Sequence, residues 1–232
     1  MEAENLKSEI VETVKREYRF GMVNMFEGNV SARLGDRVFI TPSQVAKETM
    51  DASMIIEVDM NGSLICQPPR LKPSSELEMH LEVYRLRPDV QAVVHNHSLY
   101  ATAFAVNGMP LVSDALTEMN MTFGEVPVVP YGTPGTKDIY QDFSSCLGNY
   151  HAVLLANHGV LTFGANLELA YSYAEAVEKI AHTLFVARQL GAPSPMPAGE
   201  AEALRAAGSR QRDQEIKAAL ARGERRDERR QD

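Results

Sequence analysis

The chain has 232 residues, 44% of them apolar and 23% charged, with a formal net charge of -8. That is enough apolar material for one large globular domain, and the acidic balance excludes the basic footprint of a nucleic-acid-binding surface. No run of roughly eighteen apolar residues occurs, so no membrane span is expected, and the two cysteines, Cys66 and Cys146, exclude a disulfide framework and suit a reducing, cytoplasmic compartment.

The acidic start, Met1-Glu2-Ala3-Glu4, lacks the apolar stretch of a signal peptide. Residues 4–20 read as a helix, because Leu6, Ile10, Val14 and Tyr18 recur at helical spacing and Gly21 can end it. Glu27-Gly28-Asn29-Val30-Ser31 is then either a plain turn or a loop whose amides and Asn side chain meet an anion. Residues 37–40 read as a strand broken by Thr41-Pro42-Ser43. Residues 55–58 and 63–66 read as a hairpin around Asn61-Gly62.

A helix starts near Pro73-Ser74-Ser75-Glu76. Ser75 with Glu78 reads as a capping box, Leu77, Leu81 and Tyr84 as the buried stripe, and Pro88 as the stop. Ser74 and Ser75 are caps, or the hydroxyls of an anion site at a helix N-terminus. Glu76 can reach a metal from that first turn. His80, one turn on and on the same side, reads as a packed residue or a support behind the ligands rather than a ligand itself. Residues 92–96 form an apolar strand, and period 2 puts His95 and His97 on one face, roughly 7 Å apart.

Ser98 reads as the cap of a helix running to Asn107-Gly108, and residues 108–125 as loop-rich. Thr136 is expected to cap a helix ending at Gly148. Two short strands, 152–156 and 160–163, flank Asn157-His158-Gly159, which sets His158 in a tight connection; His151 reads as a surface residue. Asn166 caps a long helix, about 167–190, with Leu169, Val177, Ile180, Leu184 and Phe185 on its inner face. Residues 1–192 read as one domain. Residues 193–232 make a Pro-containing link and a charged tail, partly helical or disordered, with a solvated helix from about Gly208.

His95, His97, His158 and Glu76 together make a three-nitrogen, one-oxygen set suited to Zn²⁺, with Mn²⁺ or another divalent ion as substitutes. In this order, Gly28-Asn29-Val30-Ser31, Thr41-Pro42-Ser43, Pro73-Ser74-Ser75-Glu76, His95-Asn96-His97 and Asn157-His158-Gly159 resemble the class II aldolase and adducin head family, over about residues 5–190. The resemblance implies a three-layer α/β/α fold with a central, mostly antiparallel sheet. It also implies a homo-oligomer, a tetramer in the usual case, with active sites between subunits. Zn²⁺ would be held by His95, His97 and His158, with Glu76 as ligand or catalytic acid/base. Gly28, Asn29, Ser43, Ser74 and Ser75 would hold a phosphate. The implied reaction cleaves a deoxy- or methylthio-ketose 1-phosphate to dihydroxyacetone phosphate and an aldehyde.

Departures from the pattern keep other chemistry open. The aldolases of the family carry a Tyr in the loop after the His-x-His helix and another in the C-terminal tail. Residues 111–118 here contain no Tyr, and none follows Tyr173. Phe26 stands where a small hydroxyl residue is expected, and Glu118 is the local substitute for the missing acid/base. Dehydration, epimerisation or decarboxylation on the same metal site is the alternative. A non-catalytic, adducin-like module would have lost ligands, and all four are present.

Overall fold

The computed structural model describes residues 1–231, with side chains as far as residue 221. The last residue of the expected tail, and the side chains of the arginines near 225–230, lie outside the described residues. Eight strands form one sheet: β1 (Asn29–Leu34), β2 (Arg37–Ile40), β3 (Ile56–Asp59), β4 (Leu64–Cys66), β5 (Ala92–Asn96), β6 (Val128–Val129), β7 (Ala152–Leu155) and β8 (Gly159–Gly164). Their order is β4-β3-β2-β1-β5-β8-β7-β6, and every pairing is antiparallel except β6 with β7. β5 sits at the middle, between β1 and β8, so the His-x-His strand is flanked on both sides.

Side-chain alternation along these strands feeds two opposite faces. Val38, Val58, Val93, Val153 and Leu155 pack against α2 (Leu77–Leu86). Val30, Ala32, Ala92 and Val94 turn the other way, against α1 (Glu2–Arg19) and the start of α6 (Leu167–Leu190). Leu154 and Val160 meet α3 (Leu99–Val106) and the middle of α6. The sheet is thus covered on both sides, the three-layer arrangement expected.

Several local expectations are corrected. The Ser75–Glu78 capping box does not form: α2 is capped at Glu76, whose N–H donates to Ser74 Oγ at 3.2 Å. Ser98 occupies the cap position of α3, but the backbone N–H groups of Tyr100 and Ala101 donate to Glu178 of α6, at 3.1 and 2.9 Å. Residues 108–125 contain a helix, α4 (Thr117–Thr122). The helix expected after Thr136 is a 3-10 turn, Lys137–Tyr140, followed by the short α5 (Phe143–Cys146). Leu169 and Phe185 are not on the inner face of α6; they are 40% and 46% exposed. His151 is buried and stacks on Tyr173. The tail is helical from Glu200, as α7 (Glu200–Gln231), and is not wholly solvated. Arg205 bonds Asp114 and Asn120, and Arg212 bonds the Thr122 carbonyl.

Candidate active site

The centre is built by β5, the β7–β8 connection and the start of α2. His95 lies on the same face of β5 as Val93, so it points toward α2 and is fully buried. Its Nδ1–H donates to the Val160 carbonyl of β8 at 2.8 Å, which leaves Nε2 as the bare nitrogen facing the site. His97, two residues on, brings its Nε2 to 3.1 Å from that of His95, and its Nδ1 lies 3.7 Å from Glu27 Oε1.

His158 arrives from the turn after β7. Asn157 takes the left-handed conformation, φ 57, that an Asn tolerates, and the chain reverses within three residues. Gly159 then has to be glycine. A Cβ there would lie 2.5 Å from the Asn96 carbonyl and 2.7 Å from His97 Cδ2. The three imidazole centroids end 4.8 to 5.0 Å apart.

Glu76 completes the group. Oε2 lies 3.3 Å from His95 Nε2 and Oε1 3.3 Å from His158 Nε2. Four ligands each about 2.0–2.1 Å from one tetrahedral ion would stand about 3.3 Å from one another. The His95–His97 nitrogens stand 3.1 Å apart, and Glu76 lies 3.3 Å from His95 through Oε2 and 3.3 Å from His158 through Oε1. The three histidine nitrogens all lie within 4.8 Å of one another, which is close enough to surround one ion. Glu76 Oε1 is buried without a hydrogen-bond partner, as an oxygen reserved for an ion would be. The residues therefore fit a divalent metal of the zinc type.

Electrostatics agree. Burial pushes the His95 imidazole down to about 3 and also lowers His158, against the pull of Glu76. Burial works to raise the Glu76 carboxyl, but the fields of His95 and His158 and the Asn29 hydrogen bond hold it below the ordinary carboxylate range. A neutral His95 beside an ionised carboxylate is the pairing of protonation states a metal requires.

The anion-binding candidates surround Glu76. The segment Thr41–Ser43 is stitched to Lys72–Ser74: Ser43 N–H donates to the Lys72 carbonyl at 2.8 Å and Ser74 N–H to the Thr41 carbonyl at 3.2 Å. Ser74 is buried, Ser43 half-buried and Ser75 exposed. Gly28, at φ 73, passes so close to His95 that a Cβ would meet its carbonyl at 2.9 Å. Asn29 faces inward, where Nδ2 donates to Glu76 Oε2 at 2.8 Å. Ser75, Glu76, Met79, Gly135, Lys137 and Tyr140 line a cavity of about 490 Å³. Glu118 is not brought to this group; it lies exposed on the first turn of α4.

One partner of the site, Glu17, escaped the sequence reading, and a second, His80, takes the packed, ligand-supporting place expected of it. His80 is fully buried and bonds Asn29 and Ser31. Asn96, between the two histidines, points to the opposite face and donates to the buried Glu17 at 3.1 Å, near buried Lys47. A buried Glu in the hydrophobic stripe of α1, at Glu17, was the available signal.

An antiparallel α/β/α sheet carrying three histidines and a carboxylate beside a helix start defines a metal-site lyase of the class II aldolase type. Residues 8–185 match the class II aldolase and adducin N-terminal domain family, and the chain belongs to it. The L-fuculose phosphate aldolase of Escherichia coli O6:H1 is 34% identical over 202 residues, 86% of this chain and 92% of that one. A solved L-fuculose 1-phosphate aldolase superposes with TM-score 0.80 at 31% identity, over 87% of this chain and 94% of its own. YgbL of Escherichia coli, described as an aldolase, epimerase or decarboxylase, gives TM-score 0.79 at 29% identity, over 88% of this chain and all of its own.

Proposed function

We propose that the protein reversibly cleaves a ketose 1-phosphate to dihydroxyacetone phosphate and an aldehyde, using a divalent ion held by His95, His97 and His158 with Glu76. The observation that carries this is the clustering of three imidazoles beside a buried carboxylate, with Glu76 Oε2 next to His95 and the unpartnered Oε1 next to His158. Zn²⁺ suits the donor set best, with Mn²⁺ as a substitute. A bound ion would supply Lewis-acid polarisation of the substrate carbonyl.

The protein's own residues do the rest. Glu76 returns a proton to C3 of the three-carbon fragment in cleavage and removes it in condensation. Asn29 holds the carboxylate oxygen that faces His95, which leaves the other directed at His158. Gly28, Ser43, Ser74 and Ser75, with neighbouring backbone N–H groups, hold the phosphate at the start of α2, away from the reacting carbon. The adjacent cavity has the size of a small phosphorylated sugar.

The exposed apolar residues Leu99, Val106, Met109, Phe185 and Leu190 support a homo-oligomer, a tetramer by analogy with the family. In that assembly Glu118 would serve as the second acid/base in a neighbouring subunit's site. Two unpaired cysteines suit the cytoplasm. Among the described residues no helix is long and apolar enough to cross a membrane.

The similarity to YgbL and the Tyr-free stretch 111–118 favour decarboxylation, epimerisation or dehydration as the second reading. A product screen of the metal-loaded protein separates the two. L-fuculose 1-phosphate and 5-deoxy- and 5-methylthio-ribulose 1-phosphate should yield dihydroxyacetone phosphate with at least one of them. Release of carbon dioxide or water from a sugar phosphate, with no three-carbon product, would favour the second.

A further inference from the structure

We propose that His80, Ser31 and Tyr84 are positioning residues: they form a one-way chain of buried hydrogen bonds that turns the Asn29 amide so that its NH₂ holds Glu76 against the three imidazoles. What the positioned carboxylate then does rests on the metal-site reading above; the chain itself does not.

Two periodicities meet here. α2 and its cap supply Glu76, His80 and Tyr84, each one helical turn from the last, and β1 supplies Asn29 and Ser31, two residues apart on one face. The register of β1 on β5 sets Asn29 opposite His95 and Ser31 opposite Val93, so both point toward α2. Asn29 Nδ2 lies 2.8 Å from Glu76 Oε2, Asn29 Oδ1 2.5 Å from His80 Nε2, His80 Nδ1 2.7 Å from Ser31 Oγ, and Ser31 Oγ 2.7 Å from the Tyr84 hydroxyl.

Every proton in this chain has one place. An ionised carboxylate only accepts, so Asn29 must present its NH₂ to Glu76. Its Oδ1 therefore faces His80, and Nε2 must carry a proton to donate there. The neutral ring then has a bare Nδ1, which the Ser31 hydroxyl fills. The Ser31 oxygen in turn accepts from Tyr84. Asn29, Ser31, His80 and Tyr84 are 6%, 0%, 0% and 1% exposed, so water cannot replace a missing partner. Flipping the amide would set an oxygen against the carboxylate and an NH₂ against an N–H.

Two measurements test this. In ¹⁵N-labelled metal-free protein, correlation spectra of the imidazole rings should show His80 with its proton on Nε2; a proton on Nδ1 overturns the chain. Zinc titration of metal-free Ser31→Ala should give about tenfold weaker affinity, the usual effect of loosening a ligand's support. Thr13→Val, which deletes a similar hydroxyl bond inside α1, is the control and should bind zinc as the parent does. Parental affinity in Ser31→Ala, or an equal loss in both variants, overturns the proposal. If the parent takes up no zinc, the functional reading falls instead, and the His80 proton alone decides the chain.

Discussion

At the scale of single residues, the site depends on atoms with few alternatives. Glu76→Gln keeps the shape and removes the basic oxygen, so turnover should fall by about 10²–10⁴-fold, read as dihydroxyacetone phosphate formed per unit time. Full turnover in that variant would assign the proton to another group. Gly159→Ala drives a methyl into the Asn96 carbonyl and His97, so zinc affinity should drop at least as far as it does in a ligand variant. His95 and His97 were legible in the sequence because a strand's alternation alone puts them side by side. His158 was legible because two apolar runs enclose it. The Asn29–Glu76 bond was not, since the partners lie 47 positions apart and meet only through the β1–β5 register and the docking of α2. For that reason Asn29 read only as an anion ligand, and its bonds to Glu76 and His80 were not foreseen.

Among the elements, polar contacts between segments decided what the sequence concealed. Amphipathic spacing marked α1, α2 and α6 well. α4 is six residues of Thr, Glu, Met and Asn, too short and polar for a periodic signal. α7 docks through Arg205 and Arg212, and through Gly208, where a Cβ would meet the Met121 carbonyl at 2.0 Å. Such residues read as a solvated face. The start of α3, directly after the His-x-His strand β5, is held by a carboxylate from α6. Glu178→Ala leaves two backbone donors unfilled and should cost about 1–2 kcal/mol, the range of a lost helix cap, or about 2–8 °C in Tm. An unchanged melting curve would show that water serves as well.

Taken as a whole molecule, the protein buries several ionisable groups whose states set its response to acid. Burial lowers His80 to about 4, His95 to about 3 and His151 to about 4, from an unfolded value near 6.5. Below that value the unfolded chain binds protons that the folded one refuses. Stability therefore rises with pH across this window and is lost on acidification from about 6.5 toward 4. Glu17, raised by burial to about 8, acts in the opposite sense above its unfolded value of 4.5. Three imidazoles outweigh one carboxyl, with a slope of about 1.4 kcal/mol per pH unit for each group. The Tm of metal-free protein should fall steadily between pH 6.5 and 4.5, and a flat profile would contradict the buried neutral imidazoles. Single strands and helices were legible from alternation and helix stripes, but the layered fold was expected only from the family resemblance, because strand order depends on long-range pairing that no local pattern encodes.

The most direct measurement is a metal titration of activity. Protein stripped by a chelator is given increasing zinc, and dihydroxyacetone phosphate formed from a ketose 1-phosphate is followed. No product without metal, and full activity at one equivalent per chain, is the expected result. Undiminished cleavage by the metal-free protein, or none at any zinc content, would contradict it.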